Sequence, residues 1–145
     1  MSADSYDIVA VAEAIARKRH SGQYRRDNTT PYITHVEDVV TRLKRKGVTD
    51  PVTLAAAWLH DTVEDADDPT QALAEIKQAM PAEVVEIVLF LTHSENEPYT
   101  VYVKRVNTSA KSRQIKIEDI ASNLADKPTP RQVEKYTAAL LILTS

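Results

Sequence analysis

The stretch Leu54-Ala55-Ala56-Ala57-Trp58-Leu59-His60-Asp61-Thr62-Val63-Glu64-Asp65 changes character halfway along. Its first half is apolar throughout. Its second half carries one imidazole and three carboxylates. Just upstream stands Asp50-Pro51, an N-cap followed by proline at the first helical position. The pattern predicts a helix from Pro51 to about Glu64 with an acidic C-terminal end. Acidic groups there oppose the helix dipole. Burying one imidazole and three carboxylates would be costly without something positive beside them. A divalent cation is the economical answer, and a solvated acidic surface is the alternative.

The same helical punctuation recurs on both sides of this stretch. Upstream, Ile8, Val11, Ala12, Ile15 and Ala16 form one stripe at 3.6 spacing within a helix over 5–20, with Ser2, Asp4 or Ser5 as N-cap. A polar loop, Ser21 to Pro31, contains Gly22. Thr34 caps a second predicted helix from His35 to Lys46, stopped by Gly47. Downstream, Asp68-Pro69 opens a helix to about Met80, Pro81 one to about His93, and Pro98 one to about Asn107. A seventh covers roughly 109–124. The last opens at Pro130 and presents Val133, Tyr136, Leu140 and Leu143. Six of the seven prolines thus sit at or just before a helix start, where proline is best tolerated. No strand alternation or internal repeat is present. The expected fold is all-α, a single compact helical domain over 1–145 with seven to eight helices.

Composition narrows the chemistry. The chain has 145 residues, two glycines, no cysteine and a formal charge of −3. Average usage of about 7% would supply roughly ten glycines. A glycine-rich dinucleotide turn or P-loop is therefore excluded, and phosphate would have to be held by side chains or a metal. Without cysteine there is no disulfide, thiolate nucleophile or sulfur-ligated zinc. The acidic balance argues against a nucleic-acid partner. Asp4, Asp7 and Glu13 replace the basic-then-apolar run of a leader peptide, and the apolar run from Ala138 to Leu143 is too short to span a bilayer. A cytoplasmic protein with no membrane partner is expected. Its oligomeric state is open, a homo-oligomer included.

His60 and Asp61 point about 100° apart on a helix, so both can face one ion but cannot complete its shell. Glu64 and Asp65 lie four residues on from His60 and Asp61 and can overhang the same place. Mutual repulsion is expected to raise one of their pKa values, which suits a general base acting on water. His35, after Pro31-Tyr32-Ile33-Thr34, and Asp119, beside the stripe Ile117, Ile120, Ala121 and Leu124, could complete the site. Read singly, they are an N-cap histidine and a surface aspartate. Two imidazoles and two carboxylates form a mixed N/O set suited to Mn²⁺, Fe²⁺, Co²⁺ or Zn²⁺ with open positions for water.

Four blocks together resemble the HD-domain metal-dependent phosphohydrolases, most nearly the guanosine tetra/pentaphosphate hydrolase domain of RelA/SpoT-type proteins and their small single-domain relatives. They are Arg19 to Arg26, Pro31 to His35, Leu59 to Asp65 and Lys116 to Leu124, in the family's order. The resemblance implies that His35, His60, Asp61 and Asp119 bind a divalent metal, usually Mn²⁺. It implies that Glu64 and Asp65 position and activate water. It also implies that Arg25 and Arg26 hold a small-molecule nucleotide, that Asn123 meets its sugar or base side, and that Tyr136 touches substrate. The implied reaction removes the 3′-pyrophosphate, giving a 5′-nucleotide and pyrophosphate. No synthetase activity is expected.

The sequence departs from the family at three places. Asp27-Asn28-Thr29-Thr30 lacks the family's loop glycine. Ile120 stands where a basic residue follows the last metal aspartate. His93-Ser94-Glu95-Asn96 replaces an acidic, lysine-bearing stretch. These changes fall on substrate contacts rather than on the metal ligands, and Lys104 and Arg105 are candidate substitutes for phosphate contacts. Two other readings stay open here: a hydrolase of another phosphorylated nucleotide or phosphoester, and a non-catalytic nucleotide-binding sensor.

Overall fold

A computed structural model describes residues 7–145, and its described residues form eight α-helices. They are α1 (Ile8–Arg19), α2 (Ile33–Arg45), α3 (Pro51–Leu59), α4 (Pro69–Ala79), α5 (Ala82–Phe90), α6 (Tyr99–Val106), α7 (Ala110–Leu124) and α8 (Pro130–Thr144). The all-α expectation holds. Ser2, Asp4 and Ser5, expected as the first caps, lie outside the described residues. The cap of α1 is Asp7, whose carboxylate accepts from the backbone N–H groups of Val9 and Ala10.

Helix α3 is the axis of the molecule. Every residue from Thr53 to Leu59 is buried, as expected of a helix that is apolar all round. It packs against α1, α2, α5 and α7. Asp50 caps it through the Thr53 N–H, with Pro51 in the first turn. The cap signals at Asp68, Ser109 and Thr129 are also realised, the last as a full capping box with Gln132.

Of the helix limits that differ from the sequence reading, two bear on the site. Helix α3 stops at Leu59 rather than continuing to Glu64. Beyond it, His60 and Thr62 donate backbone bonds three residues back, to Ala57 and Leu59, so the chain tightens into successive turns. These turns fan the polar side chains of 60–65 around the helix end. Helix α2 starts at Ile33, so Thr34 lies inside it and caps nothing. The chain already turns at Pro31, whose carbonyl accepts from the Thr34 N–H.

The loop from Ser21 to Pro31 is pinched by a bridge between Tyr24 and Pro31, with Arg25 N–H donating to the Thr30 carbonyl at 2.8 Å. Its tip needs one left-handed residue, and Asn28 supplies it at φ 62°. Asparagine tolerates that conformation better than most side chains. Asp27 braces the turn by accepting from the Thr29 and Thr30 backbone. An Asp-Asn pair thus shapes the tip of the loop that lacks the family's glycine. Gly47 stops α2 as expected: at φ 88° it forms a Schellman cap, with its N–H bonded to Lys44 and that of Val48 to Leu43.

Candidate active site

Helices α6, α7 and α8, with Tyr32 before α2, the chain just after α5 and the turns after α3, line a cleft of about 190 Å³. One end of it gathers four buried side chains. His35 comes from the first turn of α2, His60 and Asp61 from the turns after α3, and Asp119 from α7. His60 Nε2 lies 3.4 Å from both Asp61 Oδ2 and Asp119 Oδ1, and His35 Nε2 lies 2.7 Å from Asp119 Oδ1. The four residues paired from sequence are therefore brought together.

The surrounding bonds orient these ligand atoms. His60 Nδ1 donates to the Ala57 carbonyl at 2.7 Å, which leaves the Nε2 lone pair turned inward. His35 Nδ1 lies 3.0 Å from the Ser122 hydroxyl. Tyr32 donates to Asp61 Oδ2 at 2.5 Å, and Lys116 Nζ donates to Asp119 Oδ2 at 2.9 Å. Burial alone would raise Asp119 and Asp61. Lys116 with His35 and His60 holds Asp119 well below the usual carboxylate range, and His60 with His20 and His35 does the same for Asp61.

The donor set fits a cation. His60 Nε2 is buried without a hydrogen-bond partner and faces carboxylate oxygens rather than donors. A neutral imidazole lone pair aimed at a carboxylate is repulsive unless a proton or a metal stands between them. His35, His60 and Asp61 offer ligand atoms within 4.8 Å of one another, with Asp119 beside them. Two nitrogens and two oxygens form a borderline set open to Mn²⁺, Fe²⁺, Co²⁺ or Zn²⁺.

Glu64 and Asp65 separate. Glu64 lines the cleft and is tethered by the His93 backbone N–H, which donates to Oε1 at 2.7 Å. Asp65 turns to the opposite side of Tyr32, into a depression with Gln23, Tyr24 and Asp67. Lost hydration there, together with the Asp61 and Glu64 charges, pushes Asp65 up to about 7.

The other end of the cleft is aromatic and cationic, lined by His93, Tyr99, Tyr102, Lys116, Lys135 and Tyr136. Lys135 Nζ sits 4.3 Å from the Tyr99 ring centroid and 5.3 Å from that of Tyr136, and Lys116 Nζ sits 5.1 Å from that of Tyr102. His93 stacks on Tyr102 at 4.7 Å. Partial loss of hydration against the cleft wall and the Lys116 charge lower the Lys135 pKa. Asn123 joins the two ends, donating to Asp119 Oδ1 at 3.4 Å.

Tyr136 and Asn123 are thus in the cleft as expected. Arg25 and Arg26 sit at its margin. Arg25 binds Asp126 and reaches Asn123 Oδ1 at 3.3 Å, while Arg26 reaches the Asp126 and Lys127 carbonyls. Lys104 and Arg105, suggested as phosphate contacts, do not line the cleft. Lys104 is exposed, and Arg105 is tied to Glu97 and to the Phe90 and Thr92 carbonyls. Sequence reasoning missed Lys116 and Lys135 in this role, and with them His20, Tyr32, Tyr99 and Tyr102. The available signals were local: Lys116 precedes Asp119 by three positions, Tyr99 and Tyr102 are three apart after a proline, and Lys135 adjoins Tyr136.

Comparison with known proteins agrees with this geometry. An HD domain family profile matches residues 12–122. Guanosine-3′,5′-bis(diphosphate) 3′-pyrophosphohydrolase MESH1 of Homo sapiens is 34% identical over 134 residues, covering 87% of this chain and 72% of that protein. Its Xenopus tropicalis counterpart is 35% identical over the same shares. Among solved structures, a metazoan ortholog of SpoT, described as hydrolysing ppGpp, superposes with a TM-score of 0.81 at 25% identity, covering 95% of this chain and 86% of that one.

Proposed function

The chain belongs to the HD domain family, and from that premise we propose that it is a metal-dependent hydrolase removing the 3′-pyrophosphate of guanosine tetra- or pentaphosphate. The observation that carries the reading is the buried convergence of His35, His60, Asp61 and Asp119 next to a cleft walled by lysines and tyrosines. A relative named for this reaction covers most of the chain.

In this reading His35, His60, Asp61 and Asp119 hold one divalent cation, with Mn²⁺ the expected ion. When bound, the cation lowers the pKa of a coordinated water and neutralises phosphoryl charge. The protein's own groups do the rest. Tyr32, Lys116, Ser122 and the Ala57 carbonyl fix the ligand side chains before substrate arrives. Glu64, held by the His93 N–H and open to the cleft, accepts a proton from the attacking water. Asp65 supports that step through its charge beside Glu64 and Asp61. The water oxygen bonds to the proximal phosphorus, and the bond from that phosphorus to the ribose 3′ oxygen breaks. The 3′ oxygen takes a proton, leaving a 5′-nucleotide and pyrophosphate.

Lys116 and Lys135 supply positive charge for the phosphates, and Tyr99, Tyr102 and Tyr136 supply flat surfaces for a base or sugar. Arg25 and Arg26 meet the substrate from the margin, Arg25 through its contact with Asn123. The test is pyrophosphate release from guanosine tetraphosphate by the Mn²⁺-supplied protein. Glu64→Gln should retain the metal and lose roughly 10²- to 10⁴-fold in turnover. No release by the wild-type protein, or full activity in Glu64→Gln, would overturn the reading.

A further inference from the structure

Tyr99 and Tyr102 stand one turn apart on α6, and both line the cleft. Their hydroxyls differ. That of Tyr102 donates to the Leu91 carbonyl at 2.8 Å. That of Tyr99 is buried and, among the described residues, has no hydrogen-bond partner. A buried hydroxyl left unpaired is costly. A cation accounts for the unpaired atoms around Asp61, but it does not account for this one, which belongs to the other end of the cleft. Nothing in the hydrolase reading uses the Tyr99 hydroxyl.

Burial pushes the Tyr99 phenol up to about 12, so at neutral pH it keeps its proton and can donate it. Lys135 Nζ sits 4.3 Å from the centroid of the same ring, and Lys116 Nζ sits 6.0 Å from it. Lys116 is already engaged by Asp119 at the metal end. Lys135 makes no ion pair or hydrogen bond among the described residues. A neutral donor and an unpaired ammonium therefore share one stretch of wall, and the protein offers neither of them an acceptor. A group that satisfies both must be anionic and must accept several hydrogen bonds. A phosphate does so. A purine or a ribose accepts hydrogen bonds but brings no charge for the ammonium.

We propose that the Tyr99 hydroxyl and Lys135 bind one outer phosphate of the substrate, distinct from the phosphate that water attacks, and that Tyr99 thereby determines specificity for polyphosphorylated nucleotides. The inference rests on the hydrolase reading for the identity of the nucleotide and adds a contact that reading lacks. Two phosphates share the required chemistry: the outer one of the 3′ group, which leaves, and the outer one of the 5′ group, which stays.

The test is calorimetric titration of the Mn²⁺-supplied full chain carrying Glu64→Gln, which suppresses turnover, with and without Tyr99→Phe. The titrants are guanosine tetraphosphate and its two analogues lacking the outer 3′ or the outer 5′ phosphate. Tyr99→Phe keeps the ring beneath Lys135 and removes only the hydroxyl. It should weaken tetraphosphate binding roughly tenfold, the value of about one charge-assisted hydrogen bond. That penalty should vanish for one analogue and persist for the other, which identifies the phosphate. Lys135→Ala in the same background should lose affinity on the same pattern. Because Tyr99→Phe breaks no bond within the protein, its unfolding midpoint should stay level or rise. Unchanged tetraphosphate affinity in Tyr99→Phe, a penalty that persists for both analogues, opposite patterns in the two variants, or a lowered midpoint would overturn the subsite. Pyrophosphate release by the chain with native Glu64 is measured alongside. Weakened binding in Tyr99→Phe without any release by the native chain would support the subsite and overturn the hydrolase reading. Release without any change in affinity would do the reverse.

Discussion

At one end of the cleft His35, His60, Asp61 and Asp119 are buried, and each is braced by a bond from a neighbouring group. At the other end Tyr99, Tyr102, Lys116, Lys135 and Tyr136 arrive from α6, α7 and α8, and Lys135 stays exposed. The first end is a set of acceptors that needs a cation. The second is a set of cations and ring faces that needs an anion or a flat group. A polyphosphorylated nucleotide bound across both would satisfy each. The difference also separates two kinds of constraint. Ligand geometry is intolerant of small displacements, whereas charge and stacking surfaces tolerate replacement. Of this chain's departures from the family, His93 lies at the second end, Ile120 is buried in the core beside Asp119, and Asp27–Thr30 form the tip of the loop that carries Arg25 and Arg26.

Removing a ligand should have the largest effect. Asp61→Ala is expected to lower turnover by roughly 10³-fold or more, since several kcal/mol of metal-derived stabilisation is lost and each 1.4 kcal/mol is tenfold. Single-turnover kinetics with metal analysis checks this. Next comes the apolar support. Leu59 is fully buried and directly precedes His60. Leu59→Ala should cost about 2–5 kcal/mol in denaturant unfolding, and metal affinity should fall before affinity for a metal-independent nucleotide analogue does.

The cationic end should respond more gently. Lys135→Ala should raise KM for the nucleotide roughly tenfold, the value of about one charge-assisted hydrogen bond, with kcat little changed. A loss confined to kcat would mean that the two ends are not separable as described. The smallest effect is on pH dependence. Lys135 faces Lys116 from α7, Tyr99 from α6 and its neighbour Tyr136, and it feels the more distant Glu64 and Asp119. Partial loss of hydration against the cleft wall and the Lys116 charge lower its pKa, so its charge is lost as pH rises through a value below the ordinary lysine range. KM should therefore climb on the alkaline side earlier than an ordinary lysine would make it, and Lys135→Ala should flatten that limb. Steady-state KM between pH 7 and about 10.4 checks this.

How much of this was legible in the sequence follows from the same contrast. The metal end is local in sequence. The His60-Asp61 pair ends an apolar helix, and the resemblance carried by the four ordered blocks, rather than spacing alone, pairs it with His35 and Asp119. The helix starts were legible where a cap was chemical, as at Asp50, Asp68, Ser109 and Thr129. The stop of α3 at Leu59 was not. Nothing after Leu59 is a helix breaker, and only the packed fold makes the tight turns of 60–65 preferable. The cationic end was illegible for another reason. Lys116, Lys135 and the tyrosines read singly as ordinary residues of amphipathic helices, and only the meeting of α6, α7 and α8 turns them to one cleft. Lys104 and Arg105, chosen for charge alone, face elsewhere.

The decisive measurement is pyrophosphate release from guanosine tetraphosphate by metal-stripped protein, before and after Mn²⁺ is restored, with both products quantified. The hydrolase reading predicts negligible release from the stripped protein. On restoration it predicts full recovery, with 5′-nucleotide and pyrophosphate in equal amounts. Undiminished release after stripping, or no release after restoration, would contradict it.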